Sequence, residues 1–235
     1  IFWLFLNSYR YYYTLKFKHI NKRKFIKFFA STSAYTTTSQ LYAAILTGLL
    51  TLLPQGYLAS YRYISVLFNS LVNISFSTIN ITFFTNISNF LATKKIKNSK
   101  KLIYQTFSLG MLVTIFLIIC NTLFGYDALT LLWQNSKFPA KLIKFCYLYL
   151  YFSLFCMFIY FPGILFHKTL ISLNKGNSLY LLHSICQLTM IIIAYFSITY
   201  FSYYGILILS VADHTLRQTV SIILIYIFKK DFIKE

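Results

Sequence analysis

The stretch "LLPQGYLASYRY" (residues 52–63) lies between two long apolar runs, and its reading decides the fold. Pro-Gln-Gly is turn chemistry: proline presets one backbone angle, and glycine accepts the positive one that other residues resist. So short a turn between two such runs sends the chain back antiparallel to itself. Both runs are therefore expected to be helices that cross a membrane as neighbours, joined in a tight hairpin. Arg62 follows the glycine closely, where the second apolar run has already begun. A guanidinium there is costly and marks a functional position by default.

The composition agrees with a membrane chain. Hydrophobic residues make up 58% of the 235 residues, and charged residues only 11%, against about a quarter in soluble domains. The apolar segments are continuous and do not alternate at every second residue, which disfavours a β-barrel. An all-α polytopic membrane helical bundle follows, with about six transmembrane helices near residues 31–53, 58–92, 102–125, 142–167, 178–202 and 205–228. The second and fourth runs are long enough to tilt or to extend past the hydrocarbon. Residues 1–10 read as the last turns of an earlier span. The start at Ile1, inside an apolar stretch, predicts a piece of a longer protein. Residues 1–30 are thus the end of a preceding span plus a basic interfacial linker helix. Residues 31–228 form the six-helix lobe, and 229–235 a basic tail.

The net charge of +18 arises from 22 lysines and arginines against four acids, Asp127, Asp213, Asp231 and Glu235. The bases cluster between the apolar runs. Those of 16–27, 94–101, 168–175 and 229–234 share one side of a chain that threads six times, leaving Lys137, Lys141 and Lys144 for the other. The positive-inside rule makes the first side cytoplasmic. This placement points to anionic lipid head groups as partners and away from nucleic acid. Four cysteines without CxxC spacing read as buried thiols. His167, His183 and His214 fall on different predicted helices, and no metal site or cofactor is expected. No Ser/His/Asp set, Walker loop or HExxH sequence is present. Nothing supports an enzyme.

Polar side chains in the spans are not scattered. On a wheel of 100° per residue with Arg62 at zero, Asn69 falls at about 340°, Asn73 at 20° and Asn80 at 0°. In the first span Ser33, Thr36, Gln40, Thr47 and Thr51 fall within about 60° of one another. The sixth span carries Asp213 and Arg217 four residues apart, a spacing that lets the pair neutralise itself, as a structural pair or as a gate. Polar stripes can be glue between packed helices. An arginine with three amides along most of one span favours a hydrated cavity for a polar or anionic substrate. Arg62, Asn69, Asn73, Asn80 and Gln40 are the candidate substrate-binding residues, with Arg62 suited to phosphate.

The order of the segments also carries a resemblance. "SQLYAAILTGLLTLLPQGYLASYRYISVLFNSLVNISFSTINITFFTNISNFLATKKIKNSKKLIYQTFS" (39–108) resembles the second half of the MurJ (MviN) lipid II flippases. "LFGYDALTLLWQNSKF" (123–138) looks like an outer segment of that family, and "FHKTLISLNKGNSLYLL" (166–182) like a passage between two of its late spans. The likeness runs from about residue 1 to 230 and rests on segment order, loop lengths and orientation. It implies the C-terminal lobe of a transporter of the multidrug/oligosaccharidyl-lipid/polysaccharide (MOP) superfamily in the bacterial inner membrane. The N-terminal lobe of the same protein would be its partner. The implied activity is alternating access that moves a polyprenyl-diphosphate-linked peptidoglycan precursor outward. A flippase for another lipid-linked oligosaccharide and a non-transporting membrane scaffold remain the alternatives.

Overall fold

The computed structural model describes residues 22–133 and 138–228. The expected end of an earlier span, the linker as far as residue 21, and the tail from 229 lie outside the described residues. Six helices follow in order: α1 Lys22–Leu50, α2 Tyr57–Ala92, α3 Ile96–Trp133, α4 Ala140–Ser172, α5 Gly176–Phe201 and α6 Tyr204–Ile227. The described residues contain no strand. The chain is an all-α polytopic bundle, as its composition predicts.

Five of the helices, α2 to α6, are long and apolar enough to cross a membrane. The exception is α1, where "STSAYTTTSQ" (31–40) dilutes the apolar content. Three of its threonines are nevertheless satisfied locally. Thr32 donates to the Phe28 carbonyl at 2.8 Å, Thr36 to Thr32 at 3.0 Å, and Thr38 to Ala34 at 2.9 Å. Back-bonding of this kind lets a polar helix sit where water is scarce. The helix is continuous from Lys22, across the boundary expected at residue 30.

α3 is built inside out relative to a helix in a soluble protein. It buries Ser99, Thr106, Gly110, Thr114 and Asn121, spaced by sevens and fours along one stripe. It exposes Leu112, Phe116, Ile119, Leu123 and Phe124. Lipid tails are as apolar as leucine, so the small and polar residues mark the packed face. α3 is also longer than expected, 38 residues, because no proline interrupts it before residue 133.

α4 is the centre of the bundle. It packs against α2, α3 and α6, while α5 lies on the far side of α6 and carries α1. α5 and α6 pack as a hairpin across the two-residue turn of 202–203, whereas α1 and α2 barely touch despite the turn of 51–56. Phe28 and Tyr35 of α1 instead meet the ring of Tyr180 on α5, at 5.8 and 5.7 Å. The turn does what its residues dictate: Gly56 takes a φ of 99°, a value open to glycine and strained for others. It reverses the chain without pairing the two helices it joins.

The two ends of the bundle differ as the charges predict. Ser88 and Ser172 share a hydrogen bond of 2.8 Å, and Lys175 lies over the Phe228 ring. These contacts gather the ends of α2, α4 and α6 with the basic turns at one pole. At the other, Tyr57 stacks on Tyr203 at 4.9 Å and meets Phe145 at 5.2 Å.

The α4–α6 seam closes through Gly163, next to Pro162 in the helix interior. A Cβ at this position would overlap that of Gln218 and come within 2.9 Å of its Cα, a backbone atom that cannot step aside. Gly163→Leu should push the two helices apart, at a cost on the order of 1–3 kcal/mol. Thermal unfolding in detergent micelles should register this as a clear drop in midpoint; an unchanged midpoint would mean the seam is looser than its geometry.

Candidate functional site

A cavity of about 220 Å³ opens within the lobe, lined by α1, α2, α4 and α6. Each helix contributes one face. α2 supplies Tyr61, Ser65, Phe68 and Asn69, at spacings of four, seven and eight. α4 supplies Tyr149 and Tyr160, eleven residues apart and so three turns along the same stripe. α6 supplies Ser210, Asp213, His214 and Arg217, and α1 supplies Tyr42 and Leu46. Asp213 lies about 14 Å along α6 from its outer end at 1.5 Å per residue, close to the middle of a hydrocarbon core about 30 Å thick.

The charge at the cavity is an ion pair. Arg217 Nη2 donates to Asp213 Oδ2 at 2.6 Å, and each side chain is 21% exposed. The i,i+4 spacing seen in the sequence thus becomes a made contact. One carboxylate oxygen is spoken for and the other is not. Asp213 Oδ1 is buried and meets no hydrogen-bonding group among the described residues, and the same holds for His214 Nδ1. His214 is held between the rings of Phe68 at 5.1 Å and Tyr160 at 5.6 Å. A buried polar atom without a partner is expensive, so these two are the groups readiest to engage a cation, a proton or a polar ligand.

The walls are tyrosine-rich and organised. Tyr61 meets Tyr149 edge-on at 5.6 Å, and Ser65 donates to the Tyr149 hydroxyl at 3.4 Å. Ser153 and Ser210 share a bond of 2.7 Å that ties α4 to α6 behind the cavity. Such side chains offer both an aromatic face and a hydroxyl, suited to a ligand that is part ring and part polar. On the inner side of Arg217, His183 Nε2 lies 3.3 Å from Ser221 Oγ, and its ring faces His167 at 5.3 Å.

The residues singled out in the sequence divide into two groups. Asn69, Asp213 and Arg217 come together at the cavity. Arg62, Asn73 and Gln40 are exposed on the lobe surface, and Asn80 is half-buried with its Oδ1 shut in and unpartnered. Arg62 and Asn73 hydrogen-bond to nothing among the described residues. Arg62 and Asn73, half of the α2 stripe, thus hold no other helix of the described lobe by a hydrogen bond. Sequence reasoning missed the tyrosines and His214. Twenty-one tyrosines mask any four of them, although the eleven-residue spacing of Tyr149 and Tyr160 was there to be read.

No protein-family profile matches the chain, and no curated protein matches it in sequence. A solved structure does match in fold: a multidrug resistance MATE family transporter of the MOP superfamily, in its outward-facing conformation. The superposition has a TM-score of 0.68 at 13% identity and covers 91% of this chain. The chain spans 45% of the length of that transporter. Six helices in this order and packing are thus the fold of about half of a MOP-type transporter.

Proposed function

We propose that the chain is the C-terminal lobe of an alternating-access transporter in the bacterial inner membrane, and that its cargo is a polyprenyl-diphosphate-linked peptidoglycan precursor. The observation that carries the proposal is the uncommitted polar face of α2. Arg62 and Asn73 stand exposed on a membrane helix without a protein partner among the described residues. A polar surface in that position is expensive unless a second lobe, water or a substrate meets it. A guanidinium backed by amides suits a diphosphate followed by sugar and peptide. The resemblance of residues 39–108 to lipid II flippases supports the choice of cargo, and the fold shared with a MOP-superfamily transporter supports the mechanism. The N-terminal lobe would complete the central cavity. The driving force would be an ion gradient or the membrane potential acting on charged groups.

The test is depletion of the full-length protein in its own host, with lipid-linked precursor quantified in the cytoplasmic leaflet. The precursor should accumulate and the cells should lyse. An unchanged pool removes this cargo and leaves another lipid-linked oligosaccharide or a scaffold. Export of a cationic drug is a second reading, favoured by the carboxylate of Asp213 in the cavity. It predicts increased drug sensitivity on depletion, with no effect on the precursor.

A further inference from the structure

On the side of α6 turned away from the tyrosine cavity, an apolar groove of about 560 Å³ runs between α4 and α6. Its size falls within the range of about 300–1,000 Å³ that holds a drug-sized ligand. Leu148 and Phe152 form one wall, and α6 forms the other along the face that carries Tyr204, Ile208 and Ala212. We propose that this groove binds one acyl chain of an anionic phospholipid from the outer leaflet, with the lipid phosphate held by Lys141 and Lys144.

Three observations select that occupant. The first is charge. Lys141 and Lys144 are exposed at the outer end of α4, and with Leu148 and Phe152 they lie within about 80° of one another on the helix wheel. The cations thus sit directly above the apolar wall. They are also unusual for their side of the membrane, where the sequence places few other bases. The second is the rim. Lys141 Nζ lies 5.4 Å from the centroid of the Tyr203 ring, and Tyr203 is packed on Tyr204 at 4.2 Å. Tyrosines with a polar tip and an apolar body belong at the level of lipid head groups. The third is length. From Tyr204 to Ala212 the groove descends about 12 Å along α6 at 1.5 Å per residue. That is slightly less than the roughly 15 Å that one leaflet contributes to a core of about 30 Å. A partner helix would need a face along the whole span. A single lipid chain needs only this.

The test uses the full-length protein in nanodiscs of phosphatidylcholine alone or mixed with phosphatidylglycerol, with retained lipids counted by native mass spectrometry. The wild-type protein should retain phosphatidylglycerol in preference to phosphatidylcholine. Each lysine near the surface contributes about fivefold to binding an anionic lipid, so Lys141→Gln with Lys144→Gln should reduce retention roughly 25-fold. Ala212→Phe, which fills the groove without altering charge, should reduce it as well. Should that variant fail to fold, Ile208→Trp fills the groove from its exposed rim, Ile208 being 41% exposed. Equal retention of the two lipids overturns the proposal. Loss with the lysine variant alone overturns it too, since that describes head-group attraction without a groove. So does a dimer that Ala212→Phe dissolves, which would make a second copy of the chain the occupant.

Discussion

Arg217→Ala should destabilise the folded protein by about 3 kcal/mol, the lower end of the range for breaking a buried ion pair. The pair is made at 2.6 Å with each side chain 21% exposed, so neither group is wholly removed from solvent. That remaining exposure is the reason for choosing the lower end. Truncation leaves the Asp213 carboxylate near mid-membrane with Oδ2 now unpaired beside an Oδ1 that already lacks a protein partner. The group must then either draw in water or take up a proton, and both cost free energy. Thermal unfolding in micelles should show the loss. Asp213→Asn combined with Arg217→Gln removes both charges at similar volume and should recover most of it. An Arg217→Ala protein as stable as wild type would mean that the cavity already solvates the carboxylate and that the pair is not structural.

The rescue experiment also separates the two roles the i,i+4 spacing left open. A doubly neutral variant that folds and still transports makes the pair structural. One that folds but does not transport makes the charges part of the working cycle. Either outcome concerns the same cavity, because α6 brings both residues to it together with Asn69 from α2.

How much of this was legible beforehand follows from what a helical period can and cannot encode. The spans were readable because twenty apolar residues in a row admit few structures. The two poles were readable because bases between spans stay on the side where the chain can leave them. The Asp213–Arg217 contact was readable because four residues along a helix bring side chains together without any other element. What could not be read was which helix each face meets. Wheel angles put Arg62 and Asn69 on one stripe and both are exposed, yet only Asn69 borders the cavity. Their separation depends on where α4 and α6 cross α2, a long-range matter. The same limit explains α1, whose short turn promised a hairpin with α2 but whose Phe28 and Tyr35 found Tyr180 on α5.

For the function proposed above, Arg62→Ala with Asn73→Leu should leave stability nearly unchanged and remove most of the activity. Both side chains are exposed and neither bonds to the described protein, so no packing or pairing inside the lobe is lost. Exposed substitutions of this kind usually stay within about 0.5 kcal/mol. The functional term is larger. A hydrogen bond to a charged group contributes on the order of 1.5–3 kcal/mol, about tenfold to more than a hundredfold in a transport rate that depends on it. The measurement is complementation of a depleted strain by the full-length variant, with membrane insertion checked by the amount of folded protein in the membrane fraction. Arg62→Lys should fall between wild type and the double variant, because an ammonium keeps the charge but not the bidentate fork that fits a diphosphate. Full complementation by the double variant would make the α2 stripe a bystander and shift the search for the cargo site to the tyrosine-lined cavity. Normal insertion without complementation would give the arginine beyond the Pro-Gln-Gly turn its purpose: a cation kept exposed in the membrane to meet an anion that is not part of the lobe.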